Sequence, residues 1–194
     1  MAAEGLSIAI AGARGQELDL VDRHLSGDEA AFEAVYAAHA DRVYGLCLRL
    51  SGNPEDAGDL AQEVFLRVHR HLGRFAGRST LGTWIWRIAV NVCRSRLARR
   101  RPAPVGLEEA LPGGEPAAAG ATPEESAALA EHRRRVASAL GRLPLKLRVA
   151  VVLRDVEGFS YEEIARVEGL PLGTVRSRIA RGREALREVL EADR

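Results

Sequence analysis

Apolar residues recur at three- and four-residue intervals through most of this chain, the spacing of one face of a helix. Phe32, Val35, His39, Val43, Leu46 and Leu50 fall on one side of a helix expected over about 28–50. Ser51-Gly52-Asn53-Pro54 breaks that pattern, and a second helix is expected over about 55–72, its apolar side formed by Leu60, Val64, Phe65 and Val68. A loop, Gly73 to Arg78, leads to a third helix that Ser79 or Thr80 can cap and that runs to about Arg100. These segments predict a three- or four-helix bundle, small but large enough to hold a core. Residues 136–153 supply further packing helices.

The segment 160–190 is the most specific. Ser160 with Glu163 forms a capping box, Gly169 supplies a left-handed stop, and Leu170-Pro171-Leu172-Gly173 turns the corner. Thr174 is expected to cap the helix that follows. In that helix Val175, Ile179, Leu186 and Val189 face inward, while Arg176, Ser177, Ala180 and Arg181 face out. A helix-turn-helix lays such a face into the major groove, where arginine reads guanine and small residues allow close approach. The plainer alternative is a helical hairpin with a solvated basic face.

Between the two helical regions, residues 102–125 turn rich in proline, glycine, alanine and glutamate, and contain no aromatic residue. They read as a flexible acidic linker, able to span at most about 80 Å. The chain is thus divided into a loose tail over 1–25, a helical domain over 26–101, the linker over 102–125 and a second helical domain over 126–194. The fold class is all-α, two small helical domains joined by a flexible linker, the C-terminal one a helix-turn-helix.

Charge sharpens this picture. The formal net charge is only +1, yet residues 64–107 hold 10 arginines and no carboxylate, while residues 1–63 hold 4 basic and 12 acidic groups. An acid-free stretch of that length attracts polyanions, and phosphate is the obvious one. Inside it, Trp84 and Trp86 lie about 200° apart around a helix, so one can pack in the core while the other borders the basic surface. Arg74, Arg78, Arg87 and Arg94 would surround it, with Phe75 in the adjoining loop. Arginine interleaved with aromatics holds single-stranded bases, and an aromatic wedge can part a base step. A core aromatic pair beside a solvated basic face reads equally well from composition alone. On the preceding helix, Asp59, Gln62, Glu63 and Arg67 share an exposed face whose acid would repel DNA, which suits a basic protein partner.

Other chemistry finds little support. Cys47 and Cys93 form no CxxC pattern and read as buried thiols. His24, His39, His69, His71 and His132 form no metal-ligand set, and there is no glycine-rich phosphate loop or catalytic carboxylate pair, so neither an enzyme nor a cofactor is expected. No apolar run reaches membrane-spanning length and Leu6–Ala13 lacks a basic flank, so a cytoplasmic chain is expected. A stand-alone regulator would dimerise to cover two half-sites, and no zipper or ligand-binding domain is visible.

The residues resemble a family. Asp56-Ala57-Gly58-Asp59-Leu60-Ala61-Gln62-Glu63-Val64-Phe65 is similar to the core-polymerase-binding helix of the extracytoplasmic-function (ECF) sigma factors of bacterial RNA polymerase. Arg78-Ser79-Thr80-Leu81-Gly82-Thr83-Trp84-Ile85-Trp86-Arg87-Ile88-Ala89 resembles their promoter-melting segment. Leu143-Pro144, Arg154 through Ala165 and Gly173 through Arg178 resemble their C-terminal helix-turn-helix. The resemblance implies a −35 element contacted by Arg154, Thr174, Arg176, Ser177, Arg178, Ala180, Arg181 and Arg183, with Arg178 and Arg183 on phosphates. It implies a −10 element melted by Arg74, Phe75, Arg78, Ser79, Thr80, Trp84, Arg87, Asn91 and Arg94. Asp56, Asp59, Leu60, Gln62, Glu63 and Arg67 would dock on core polymerase. The implied partners are the polymerase clamp and flap, promoter DNA in double- and single-stranded form, and an anti-sigma factor, with no cofactor, no metal and no direct membrane insertion.

Overall fold

The computed structural model describes residues 15–99 and 122–193. Among them every regular element is helical: α1 (15–25), α2 (Glu29–Ser51), α3 (Pro54–His71), α4 (Leu81–Leu97), α5 (Pro123–Arg142), α6 (Leu145–Val151), α7 (Tyr161–Glu168) and α8 (Leu172–Ala192). Residues 1–14 of the expected tail and 102–121 of the expected linker lie outside the described residues.

Most helix starts follow from their caps. Asp28 accepts from the Ala30 backbone N–H, Asn53 from that of Asp56 with Pro54 opening the helix, and Thr80 from that of Thr83. Ser160 and Glu163 form the reciprocal capping box. One expectation fails: α8 begins at Leu172 after Pro171, with no side-chain cap, so Thr174 lies inside the first turn. Proline's fixed φ preorganises that start without a capping oxygen. Gly52 and Gly169 close α2 and α7 in the left-handed conformation that glycine adopts at no steric cost.

The loose tail expected over 1–25 is, from residue 15, a packed helix. Val21 is buried, and Glu17 Oε2 accepts from the Leu81 backbone N–H at 2.9 Å, so α1 supplies a cap to α4. Leu25 rests on the loop before α4, close enough that a Cβ on Gly73 would meet its Cδ2 at 2.9 Å. Leu18, Val21 and Leu25 stand at helical spacing, enough for the one or two helical turns that the sequence allows over Glu17–Leu25. The hydrogen bond that fixes α1, however, reaches the first residue of α4, 64 positions later, which neighbours in the chain cannot show.

Val35, Val43, Leu46, Leu60, Val64, Val68, Ile85, Trp86 and Val90 build the core of the N-terminal module. Cys47 and Cys93 meet inside it, Sγ to Sγ 3.8 Å, both buried and reduced. Val149, Val152, Leu153, Ile164, Val167, Val175 and Ile179 build the C-terminal core. Gly182 lets α8 cross α6 closely: a Cβ there would stand 2.5 Å from Val151 Cγ2. Between α6 and α7 the chain widens into a π-turn, Val152–Val156, in which Glu157 N donates to Val152 O.

The two modules pack on one another rather than standing apart. Trp86 of α4 meets Phe159 at a centroid distance of 5.2 Å. Arg148 of α6 donates to the Leu50 carbonyl at 2.6 Å, satisfying an end of α2 that no intrahelical partner can reach. Loss of water from around it pushes the Arg148 guanidinium below its ordinary value.

Candidate nucleic-acid interface

The buried register of α8, Val175 and Ile179, turns Arg176, Ser177, Ala180 and Arg181 to solvent, as the hydrophobic spacing predicted. The other arginines expected beside them are differently engaged. Arg183 is ion-paired with Asp155, which raises its pKa first through the hydrogen bond to that carboxylate. Arg178 pairs with Glu168 at 2.7 Å. Arg154 is half-buried, donates to the Phe159 carbonyl at 2.8 Å and stacks over the Tyr161 ring at 4.8 Å. In this conformation Arg154 holds the entry to α7 instead of presenting itself to solvent. Thr174 is half-buried in the first turn.

In the N-terminal module the two tryptophans separate as their angular spacing requires. Trp86 is buried, while Trp84 is partly exposed on the opposite side. Phe75, in the adjoining loop as expected, is buried there and stands edge-on to Trp84 at 5.9 Å. Around them Arg74, Arg78, Ser79, Arg87 and, from α7, Arg166 line a cleft of about 410 Å³ with no carboxylate in its wall. Thr80 is committed to capping, and Asn91 is exposed one turn beyond Arg87. Arg94 is tied to Glu168 at 2.5 Å.

The face of α3 expected to be acidic is mixed. Asp59 and Gln62 are exposed. Glu63 is shared between Arg67 at 2.5 Å and Arg96 of α4 at 3.0 Å, which neutralises it. Leu60 is buried on the inward stripe with Val64 and borders the surface only where it lines the small cleft beside Asp59. Asp56 lies with Asp59, Arg96 and Arg99 around a small cleft. The sequence reading missed the neighbouring apolar groove of about 600 Å³ between α2 and α3, lined by Tyr36, Tyr44, Gly58, Gln62, Phe65 and Leu66. Leu66 is 59 % exposed and Tyr36 50 % exposed. The available signal was an apolar Leu66 off the inward stripe and two tyrosines eight apart on one face of α2. Among the described residues no three His, Cys, Asp or Glu side chains gather as a metal site, and no helix is long and apolar enough to cross a membrane.

The chain matches the family model for sigma-70 region 2 over residues 35–102 and that for sigma-70 region 4 over residues 133–186. It is 37 % identical over 182 residues to the RNA polymerase sigma-H factor of Pseudomonas aeruginosa, covering 91 % of this chain and 94 % of that one. It is 38 % identical over 173 residues to the ECF sigma-E factor of Escherichia coli, covering 86 % and 90 %. The solved structure of CnrH in complex with the cytosolic domain of CnrY superposes with a TM-score of 0.67 at 26 % identity, over 94 % of this chain and 99 % of that one. RpoE of Bartonella quintana, in complex with the anti-sigma factor NepR, gives 0.62 at 26 % identity, over 84 % and 98 %. The chain belongs to the ECF sigma factors of the sigma-70 family, the subunits with which RNA polymerase initiates transcription.

Proposed function

We propose that the C-terminal module reads the −35 element through Arg176, Ser177, Ala180 and Arg181, and that the N-terminal module opens the −10 element at Trp84. The observation that carries this is the exposed four-residue face on a helix whose opposite side is locked by Val175 and Ile179. Two arginines flanking two small residues suit a major groove, where close approach lets a guanidinium reach both acceptors of guanine. At the other end, Trp84 projects from a buried aromatic support, ringed by Arg74, Arg78 and Arg87, which suits stacking against an unpaired base and contact with its phosphates. Ser79 and Asn91 complete that surface. The division into a −10 module over 26–101 and a −35 module over 126–194 belongs to the same proposal.

Core polymerase is proposed to dock over Asp59, Gln62 and the apolar groove at Tyr36 and Leu66, where a helical partner would bury exposed apolar area and meet exposed carboxylate at the rim. The likeness to CnrH and RpoE, each solved with a second protein, supports an anti-sigma partner here as well. The chain acts by recognition and carries out no reaction of its own, and it works in the cytoplasm with the polymerase. Run-off transcription from a promoter library, with core polymerase alone and with the chain added, tests the reading. Promoter-specific transcripts should appear only with the chain; tight operator binding by the chain alone, without polymerase-dependent transcripts, would replace it with a stand-alone regulator.

A further inference from the structure

Glu168 ends α7, and its side chain is fully buried, 0 % exposed. Its Oε2 accepts from two arginines: Arg94 Nη2 of the N-terminal module at 2.5 Å and Arg178 Nη1 of α8 at 2.7 Å. Its Oε1 has no hydrogen-bond partner. A carboxylate taken out of water is costly unless paired, so this one depends on the guanidinium groups that reach it. Arg94 and Arg178 are less committed, their side chains being 27 % and 23 % exposed. A second carboxylate repeats the arrangement across the same boundary. Glu157, nearly buried, accepts from Arg49 at 3.1 Å and Arg42 at 3.4 Å, both on α2. The Trp86–Phe159 contact belongs to the same seam.

We propose that Glu168 is a latch that holds the two modules closed on one another, and that closure withholds Arg94 and Arg178 from DNA. The second clause rests on the proposed function and on the expectation, from the family resemblance, that Arg178 meets a phosphate at the −35 element and Arg94 the −10 element. Each spends an N–H on one carboxylate oxygen inside the seam and keeps only about a quarter of its side chain in solvent, so a phosphate that engages the whole guanidinium competes with Glu168. A displaced Glu168 would be left unpaired in the seam until the modules part and water reaches it. Closure and DNA occupancy therefore compete, and any ligand or partner that favours separated modules strengthens DNA binding by the same coupling. Removing the Glu168 charge tips the balance the same way, because two guanidinium groups then face each other across the boundary without an anion between them.

The full chain with dyes on Ala37→Cys and Glu188→Cys, both exposed positions on opposite modules, reports the separation; the native thiols are buried. Glu168→Gln should lengthen the inter-dye distance while circular dichroism stays helical. Apparent affinity scales with the fraction of competent chains, so if roughly one chain in ten is open, the same variant should bind promoter DNA about tenfold more tightly without polymerase. Arg94→Gln attacks the latch from the other module and should also lengthen the distance, without the gain in DNA affinity. It decides the matter should Glu168→Gln fail to fold. Unchanged distances in both folded variants overturn the latch. A longer distance with unchanged DNA affinity in Glu168→Gln upholds the latch and removes the assignment of Arg94 and Arg178 to DNA.

Discussion

Phe75 stands edge-on beneath Trp84, ring centroids 5.9 Å apart, with Phe75 buried and Trp84 partly exposed. The inner ring fixes the attitude of the outer one, so the two should answer differently to truncation. Trp84→Ala should fold normally and bind core polymerase but slow promoter opening, read by permanganate reactivity of the −10 strand. Phe75→Ala should lose about 3 kcal/mol or more of stability in urea unfolding, as expected for a buried aromatic. Normal opening kinetics in Trp84→Ala would remove it from the melting step.

Arg176 and Arg181 lie on the solvent face of α8, and neither takes part in an ion pair among the described residues. Each alanine variant should weaken −35 recognition by about 1–3 kcal/mol and relax base preference at one position. Binding selections with randomised −35 sequences, using the assembled holoenzyme, read both effects. Unchanged preference in both variants would move recognition elsewhere on the module.

Leu66 offers a cleaner test of docking than Glu63, which is already paired with Arg67 and Arg96. Leu66→Glu places a charge in the rim of the α2–α3 groove without touching the core, so the fold should survive. Co-elution with core polymerase should fall at least tenfold, a loss of about 1.4 kcal/mol or more. Undiminished co-elution would place the polymerase contact on another face.

Gly182→Ala tests the close crossing of α8 over α6. Alanine favours a helix by up to about 1 kcal/mol. The new methyl would nevertheless stand 2.5 Å from Val151 Cγ2 and 3.2 Å from the Leu147 carbonyl oxygen. Overpacking of that kind costs about 1–3 kcal/mol, so net destabilisation in urea is expected. A stabilised variant would mean that α8 slides freely on α6.

His39 supplies a pH dependence with a definite sign. Burial, and then the nearby Arg42 charge, hold its imidazole below the ordinary value of 6.5. The unfolded chain therefore takes up that proton before the folded chain does as pH falls. The stability this group contributes is full above about pH 6.5 and is lost as pH drops through the folded value. Thermal midpoints measured between about pH 7.5 and pH 5.5 should fall less in His39→Gln than in the parent chain. Equal slopes would show that other groups govern the acid limb.

What could be read in advance was whatever depends on neighbours in the chain. The Ser160–Glu163 box, the Gly169 stop and the inward placement of Val175 and Ile179 are all set within four or five residues, and the structure agrees with each. The separation of Trp84 from Trp86 followed from helix geometry alone. Arg94, Arg178 and Arg183 share the composition of an open basic face but meet carboxylates 74, 10 and 28 positions away. Residue type shows that an arginine can meet a phosphate; it cannot show which carboxylate the fold brings first. The groove at Tyr36 and Leu66 arises where two helix faces diverge, and Cys47 reaches Cys93 across 46 positions.

The bond from Glu17 to the Leu81 amide has a practical corollary for where such a chain can be cut. The region 2 match begins only at residue 35, so a fragment started there would contain every matched residue and keep the Thr80 cap, yet lose the carboxylate that accepts from the Leu81 N–H. Translation begun from an internal codon past Glu17 would carry the same defect, three residues upstream of Trp84. A recombinant boundary drawn from family coverage alone would thus discard one of the two side-chain supports at the start of the helix it was meant to preserve.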